Sequence, residues 1–144
     1  MINWSEVEHF EKVEWKQDPD KVHGDLVHGL DKLRELLRVK VHIHEAYAKD
    51  GHYHPKSLHY NDPALAVDFH CGRKQDGFYY TNIALFVAIQ QIGTFTGVGF
   101  YPHWNPVAGW HVDLRKEPLF WYRSENGRYF YGFEALTSAL RRHI

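Results

Sequence analysis

The sequence predicts a single α+β domain over residues 1–144, with a mostly antiparallel sheet and helices on one of its faces. The length of 144 residues, with 44% hydrophobic and 24% charged residues, suits one globular domain of ordinary size. The N-terminal part has mainly the periodicity of helices. The remainder has mainly the alternation of apolar and polar residues that is typical of strands, with one apolar helix between them. Helices followed by successive strands favour α+β over repeated βαβ units.

The N-terminal part is predicted to form two helices and a strand. Ser5 followed by Glu8 is a capping-box pattern, which predicts a short helix through about Val13. Leucines that recur at helical spacing predict an amphipathic helix over roughly 21–38. The alternation of apolar and polar residues over 39–44 has the period of a half-buried strand.

The central part is predicted to contain a loop, a second strand and an apolar helix. Gly, His, Pro and Asn are frequent over 49–63, which predicts the loop, and apolar residues alternate with polar ones over 65–70. Thr81 is placed to cap a helix over about 82–91, and Gly93 is placed to end it.

The C-terminal part is predicted to form four strands and a closing helix. Two strand patterns, at 97–101 and 110–114, are separated by a loop. Two more, at 119–123 and 128–131, flank a segment that contains Asn-Gly, a strong hairpin signal. The pattern over 132–143 predicts the helix.

Three of the predicted strands carry histidines and aspartates on the face opposite their apolar residues. Imidazole nitrogens and carboxylate oxygens are good zinc ligands, and three protein ligands with one water form the usual catalytic arrangement. If the apolar face packs against the helices, the sequence predicts a metal site on the other face. The same alternation also describes side chains that merely face solvent. The polar residues of this face are His42, His44, Asp68, His70, His111 and Asp113.

The sequence contains two pairs of short motifs, one after the other along the chain. Ser57-Leu58-His59 is followed by Ala66-Val67-Asp68, and Gly97-Val98-Gly99-Phe100-Tyr101-Pro102 is followed by His111-Val112-Asp113. These motifs resemble the two signatures of the zinc D-alanyl-D-alanine peptidases, a group of murein carboxypeptidases, murein endopeptidases and phage endolysins. The resemblance implies a single peptidase-like domain with the fold shared by the hedgehog signalling domain, and the metal site on the face away from the helices.

The resemblance implies a Zn²⁺ site with three protein ligands. These ligands would be His59, Asp68 and His111. Asp113, two residues after the last ligand, would act as general base or would orient a ligand. From its position in the loop before the last ligand, His103 could contact substrate or developing charge, and simple exposure to solvent is the alternative. Glu45 is a third group that could handle protons near the metal, and the sequence leaves the choice among these three open.

The sequence departs from the family pattern at three places. Eight residues separate His59 from Asp68, where the family normally has six. Ala48 stands where the family usually has an arginine that stabilises charge on the substrate, and Ala108 stands where some members have an acidic residue. The nearest replacement cations in sequence are Lys49, Lys56 and protonated His103.

Two functions are therefore predicted as alternatives. The first is a zinc metallopeptidase that hydrolyses peptidoglycan stem peptides or cross-links, and the second is a zinc-holding module of the same fold that binds cell wall or protein without turnover. A further alternative places a surface metal site at His52 and His54. A formal net charge of -1 predicts no broad attraction to nucleic acid.

The sequence also bears on location. No segment approaches the roughly 20 apolar residues that span a bilayer, so no membrane insertion is predicted. The N-terminus has no secretory leader pattern, which predicts synthesis in the cytoplasm and favours a phage or prophage product that acts on the cell wall. The single cysteine, Cys71, excludes an intramolecular disulfide.

Overall fold

The computed structural model of the protein describes residues 2–48 and 57–144. Within them the strands are β1 (Val41–Glu45), β2 (Ala66–Cys71), β3 (Lys74–Gln75), β4 (Phe78–Tyr79), β5 (Gly97–Tyr101), β6 (Gly109–Asp113), β7 (Leu119–Arg123) and β8 (Tyr129–Tyr131). The α-helices are α1 (Gly24–Leu37), α2 (Asn82–Ile92) and α3 (Phe133–Arg142). Short 3₁₀ helices lie at Trp4–Glu6, Lys12–Trp15, Pro19–Lys21 and Leu58–Tyr60. None of the helices in this part of the chain has the length and apolar composition needed to cross a membrane.

Six strands form one sheet in the order β1-β2-β6-β5-β7-β8. Neighbouring strands are antiparallel except β5 and β7, which are parallel. The parallel pair arises because the chain passes from β6 across β5 to its other side, so that β7 runs in the direction of β5. The predicted α+β class with a mostly antiparallel sheet is confirmed.

The α-helices cover one face of this sheet. Apolar side chains of the strands pack with those of the helices in one core, because successive strand residues point to opposite faces. On β2, Val67 and Phe69 are fully buried in this core, whereas Asp68 and His70 lie on the other side. We call that other side the polar face. The histidines and aspartates of these strands are therefore held on the sheet.

The prediction of a short N-terminal helix over 5–13 is wrong. The segment instead forms two separate 3₁₀ helices. Asp31, which is buried on α1, accepts hydrogen bonds from the backbone N–H groups of Glu8 (3.0 Å) and His9 (2.8 Å). These long-range bonds hold the segment against α1 in an extended form, and they replace the local bonds that a capping box would have supplied.

Replacing Asp31 by alanine is expected to lower the free energy of unfolding by about 2–3 kcal/mol, because two backbone donors lose their acceptor. Chemical denaturation monitored by circular dichroism measures this change. Glu35→Ala on the same helix is the matched control, since Glu35 is exposed and is expected to change stability by less than about 0.5 kcal/mol. Equal effects of the two substitutions would contradict the anchoring role of Asp31.

The hairpin of β3 and β4 was not predicted from the sequence. Its turn is Asp76-Gly77, where both residues have positive φ (47° and 85°). Asp-Gly is a hairpin signal of the same kind as Asn-Gly, and two-residue turns of this type require positive φ at both positions. The flanking strands are only two residues long, so they carry too little alternation to be recognised.

Candidate metal centre

His59, Asp68 and His111 converge on the polar face. One potential ligand atom of each lies within 4.8 Å of those of the other two. Asp68 Oδ1 lies 2.8 Å from His111 Nδ1, and Asp68 Oδ2 lies 3.4 Å from His59 Nε2. Asp68 and His111 are direct partners in the register of β2 and β6, whereas His59 comes from a 3₁₀ helix. These three residues form a group that could hold a metal ion, and we call them the triad.

The loop before β2 fixes the orientation of His59. Ser57 caps the short helix, and its Oγ accepts a hydrogen bond from the backbone N–H of His59 (3.3 Å). His59 Nδ1 lies 2.8 Å from the carbonyl oxygen of Ala46, so Nδ1 carries the proton and donates it. This bond turns Nε2 toward Asp68 Oδ2. Hydrogen bonds of this kind orient histidine ligands in metal sites.

Asp113 fixes the orientation of His111 through a hydrogen bond in the same way. Asp113 is fully buried, and its Oδ2 accepts a hydrogen bond from His111 Nε2 (2.8 Å). Arg115 donates to both oxygens of Asp113, at 2.6–3.1 Å. These bonds hold the pKa of the Asp113 carboxyl below its usual range in spite of its burial. Both oxygens are thus engaged, which suits the orienting alternative for Asp113 better than the general-base alternative.

Hydrogen bonding also sets the charges within the triad. Burial by itself would raise the pKa of Asp68, but the hydrogen bonds from His111 and His59 hold it below its usual range. Burial likewise opposes the charged form of His111, but the bonds to Asp113 and Asp68 raise the pKa of His111 to about 9. A metal ion that binds Nδ1 of His111 must displace this proton, so metal binding releases a proton.

The Gly-x-Gly motif on β5 makes room for the site. Gly97 is the register partner of Asp113, and a Cβ at Gly97 would lie 2.0 Å from Asp113 Oδ1. A Cβ at Gly99 would lie 2.4 Å from the indole of Trp121. The ring of Trp121 in turn contacts that of His111, at 5.1 Å between centroids. The two glycines are therefore required by the close approach of a carboxylate and an indole.

A row of aromatic side chains lies beside the triad. Trp104 covers Gly109, where a Cβ would lie 2.1 Å from the indole, and it stacks on Tyr101 at 4.3 Å between centroids. Trp121 Nε1 donates a hydrogen bond to the Tyr101 hydroxyl (3.0 Å). Sequence reasoning missed this row. Glycine within a strand often marks the close approach of another group, so Gly99 and Gly109, which lie opposite or beside polar-face residues, could have indicated the aromatic row.

His103 is not brought to the triad. Its side chain is exposed, and its ring contacts that of His143, just after α3, at 5.2 Å between centroids. His103 also lines a cavity of about 340 Å³ together with Tyr101 and Trp104. The structure therefore places His103 at the rim of the aromatic row, and among the described residues its ring contact is to His143 and not to a triad member.

The remaining candidates have different positions. Glu45 is the register partner of Asp68 across β1 and β2, so it lies beside the triad on the same sheet. Ala48 is 3% exposed, and its backbone N–H donates to the carbonyl of His59 (3.0 Å). The other candidates from the sequence lie outside the described residues: His52, His54, Lys49 and Lys56.

Comparison with known proteins identified no relative. No protein-family model, no curated protein and no solved structure matches the chain. The zinc peptidase resemblance and the hedgehog-like fold therefore stay predictions. The geometry of the triad and its supporting residues carries the functional conclusion.

Proposed function

We propose that this protein is a zinc-dependent peptidase that hydrolyses stem peptides or cross-links of peptidoglycan. The observation that carries this proposal is the convergence of His59, Asp68 and His111, whose ligand atoms lie within 4.8 Å of one another. Two imidazoles and one carboxylate form a ligand set of catalytic zinc sites, in which a fourth position stays open. The resemblance of the surrounding motifs to the D-alanyl-D-alanine peptidases supports the choice of substrate.

The supporting contacts also suit zinc. Each triad histidine has one nitrogen held by a hydrogen bond, to the carbonyl of Ala46 or to the carboxylate of Asp113, and its other nitrogen faces Asp68. Such bonds fix the tautomer and raise the basicity of a ligand. Bound there, zinc would supply Lewis acidity and would lower the pKa of a bound water toward about 7.

The proton acceptor in this proposal is Glu45. Asp113 is engaged with His111 and Arg115 inside the protein, and His103 faces the end of α3. Glu45 stands opposite Asp68 in the sheet, and the side chains of such register partners lie on the same face. Its carboxylate is thus assigned to the same face of the sheet as Asp68, where it would take a proton from the attacking water.

Glu45→Gln is expected to keep bound zinc and to lower kcat by about 10²–10⁴-fold, because the amide cannot accept the proton. Zinc content measured by mass spectrometry and cleavage of cross-linked muropeptides measured by chromatography test this. Glu117→Gln, at an exposed glutamate, is the matched control and is expected to leave both unchanged. Wild-type turnover in Glu45→Gln would show that another residue takes the proton.

The whole proposal is tested with wild-type protein and intact muropeptides. The zinc-loaded protein is expected to release shortened or uncross-linked peptides, to stop after chelation, and to resume when zinc is restored. Zinc binding without any cleavage of stem peptides or cross-links would overturn the peptidase proposal.

A second candidate function is a zinc-holding module that binds cell wall or protein. Ala48 favours it, because a buried methyl group stands where the resemblance implies a substrate-binding guanidinium. Loss of one preorganised donor to a developing oxyanion typically costs about 10²–10³ in rate. Sedimentation of the zinc-loaded protein with insoluble peptidoglycan, without release of peptides, would support this function.

A further inference from the structure

Three histidines form a second cluster on the polar face, in the row of the sheet next to the triad. The cluster consists of His42, His44 and His70. His42 and His70 are register partners on β1 and β2, and their rings stack at 4.5 Å between centroids with an interplanar angle of 10°. The register shifts between Ile43 and Glu45. His44 lies in this irregularity, and its Nε2 lies 2.5 Å from His70 Nδ1.

The surroundings hold the cluster in place. The ring of His44 lies 5.6 Å from that of Trp104, which is itself fixed over Gly109. Neutral imidazoles each offer one nitrogen lone pair.

We propose that this cluster binds a divalent transition-metal ion of its own, with His44 Nε2 and His70 Nδ1 as the protein ligands. Two nitrogens that bind one ion at about 2.0–2.1 Å lie roughly 3 Å apart, so a small rotation of one ring opens the pair to an ion. His42 stacks on His70 and fixes the ring plane. Imidazole ligands without a carboxylate select Cu²⁺, Ni²⁺ or Zn²⁺ over Mg²⁺ and Ca²⁺.

This site is separate from the triad. Asp68 and His70 are two residues apart on β2, which corresponds to about 6.6 Å at the rise of a strand. The proposed ligands His44 and His70 are not members of the triad, so the cluster is a site with its own ligand set. It does not depend on the proposed peptidase activity.

Counting bound ions tests the proposal. Tag-free protein is saturated with Zn²⁺ or with Cu²⁺ and passed over a desalting column, and metal per chain is measured by mass spectrometry. Wild type is expected to hold two ions, and His44→Gln and His70→Gln one each. His28→Gln, on α1 across the sheet, is the matched control and is expected to keep two. With Cu²⁺, the electron paramagnetic resonance signal of the cluster ion should show nitrogen hyperfine coupling that His44→Gln removes.

The other possible metal counts each support or contradict the proposal. One ion in wild type and one in His44→Gln would mean that the cluster is a hydrogen-bonded pair only, which overturns the proposal. Two ions in His44→Gln would place the second ion elsewhere and would also overturn it. A third outcome is one ion in wild type, no ion in His44→Gln and one ion in His59→Ala. It would support the cluster site and contradict zinc binding at the triad. Circular dichroism and thermal unfolding confirm that each variant is folded.

Discussion

His111→Ala and His59→Ala are each expected to weaken zinc binding at the triad by about 10³-fold and to remove any hydrolysis. Structural zinc sites in zinc-finger peptides bind the ion with about 10–16 kcal/mol at pH 7. On that scale, loss of one of three ligands removes roughly 4 kcal/mol, a factor of about 10³ in affinity. His59→Ala is the cleaner variant, because His111 joins Asp68 to Asp113 and its loss also removes a hydrogen-bond partner of the buried Asp113 carboxylate. Competition with a chromogenic chelator measures the affinity.

Two further variants separate the roles within this site. His103→Ala is the control, since His103 is exposed and faces His143, and it is expected to keep wild-type zinc affinity. Asp113→Asn is expected to lower affinity by about 10–100-fold, because Asp113 orients His111 through Nε2 and does not bind the metal itself. If Asp113→Asn removed zinc as completely as His111→Ala, Asp113 would be a ligand.

The placement of the triad illustrates how far sequence patterns reach. Alternation put Asp68 and His111 on the same face of their strands, and the register of β2 and β6 brings them side by side. Alternation could not include His59, because it lies on a 3₁₀ helix in the loop. Only the resemblance of its motif indicated His59. Its approach depends on hydrogen bonds with Ala46 and Ala48, which no local pattern encodes.

The features that the sequence did not predict all depend on partners distant along the chain. The backbone N–H groups of Glu8 and His9 donate to Asp31 on α1, so the helix that the capping box predicts does not form. Trp104 packs over Gly109 because β6 has no side chain there, and hydrophobicity alone does not distinguish such an indole from a core residue. The irregularity at His44 depends on the pairing of two strands. Local propensity does not determine any of these contacts.

Gly97→Ala is expected to be among the most destabilising single substitutions on the polar face. A Cβ at this position would lie 2.0 Å from Oδ1 and 2.5 Å from Oδ2 of Asp113, so the buried carboxylate must move away from Arg115 and His111. Breaking a buried ion pair in this way costs about 3–5 kcal/mol. For a domain of this size the loss corresponds to roughly 10–20 °C in Tm.

Gly72→Ala is the matched control for this substitution. Gly72 follows β2, and a Cβ there would meet its nearest neighbours, Lys40 and Val39, at an ordinary 3.5 Å. It is expected to change stability by less than about 0.5 kcal/mol. Gly97→Ala should also weaken zinc binding by about 10–100-fold, since His111 loses the carboxylate that orients it. Differential scanning calorimetry with and without zinc measures both effects. A Tm for Gly97→Ala that matches that of Gly72→Ala would show that Asp113 does not need its present position.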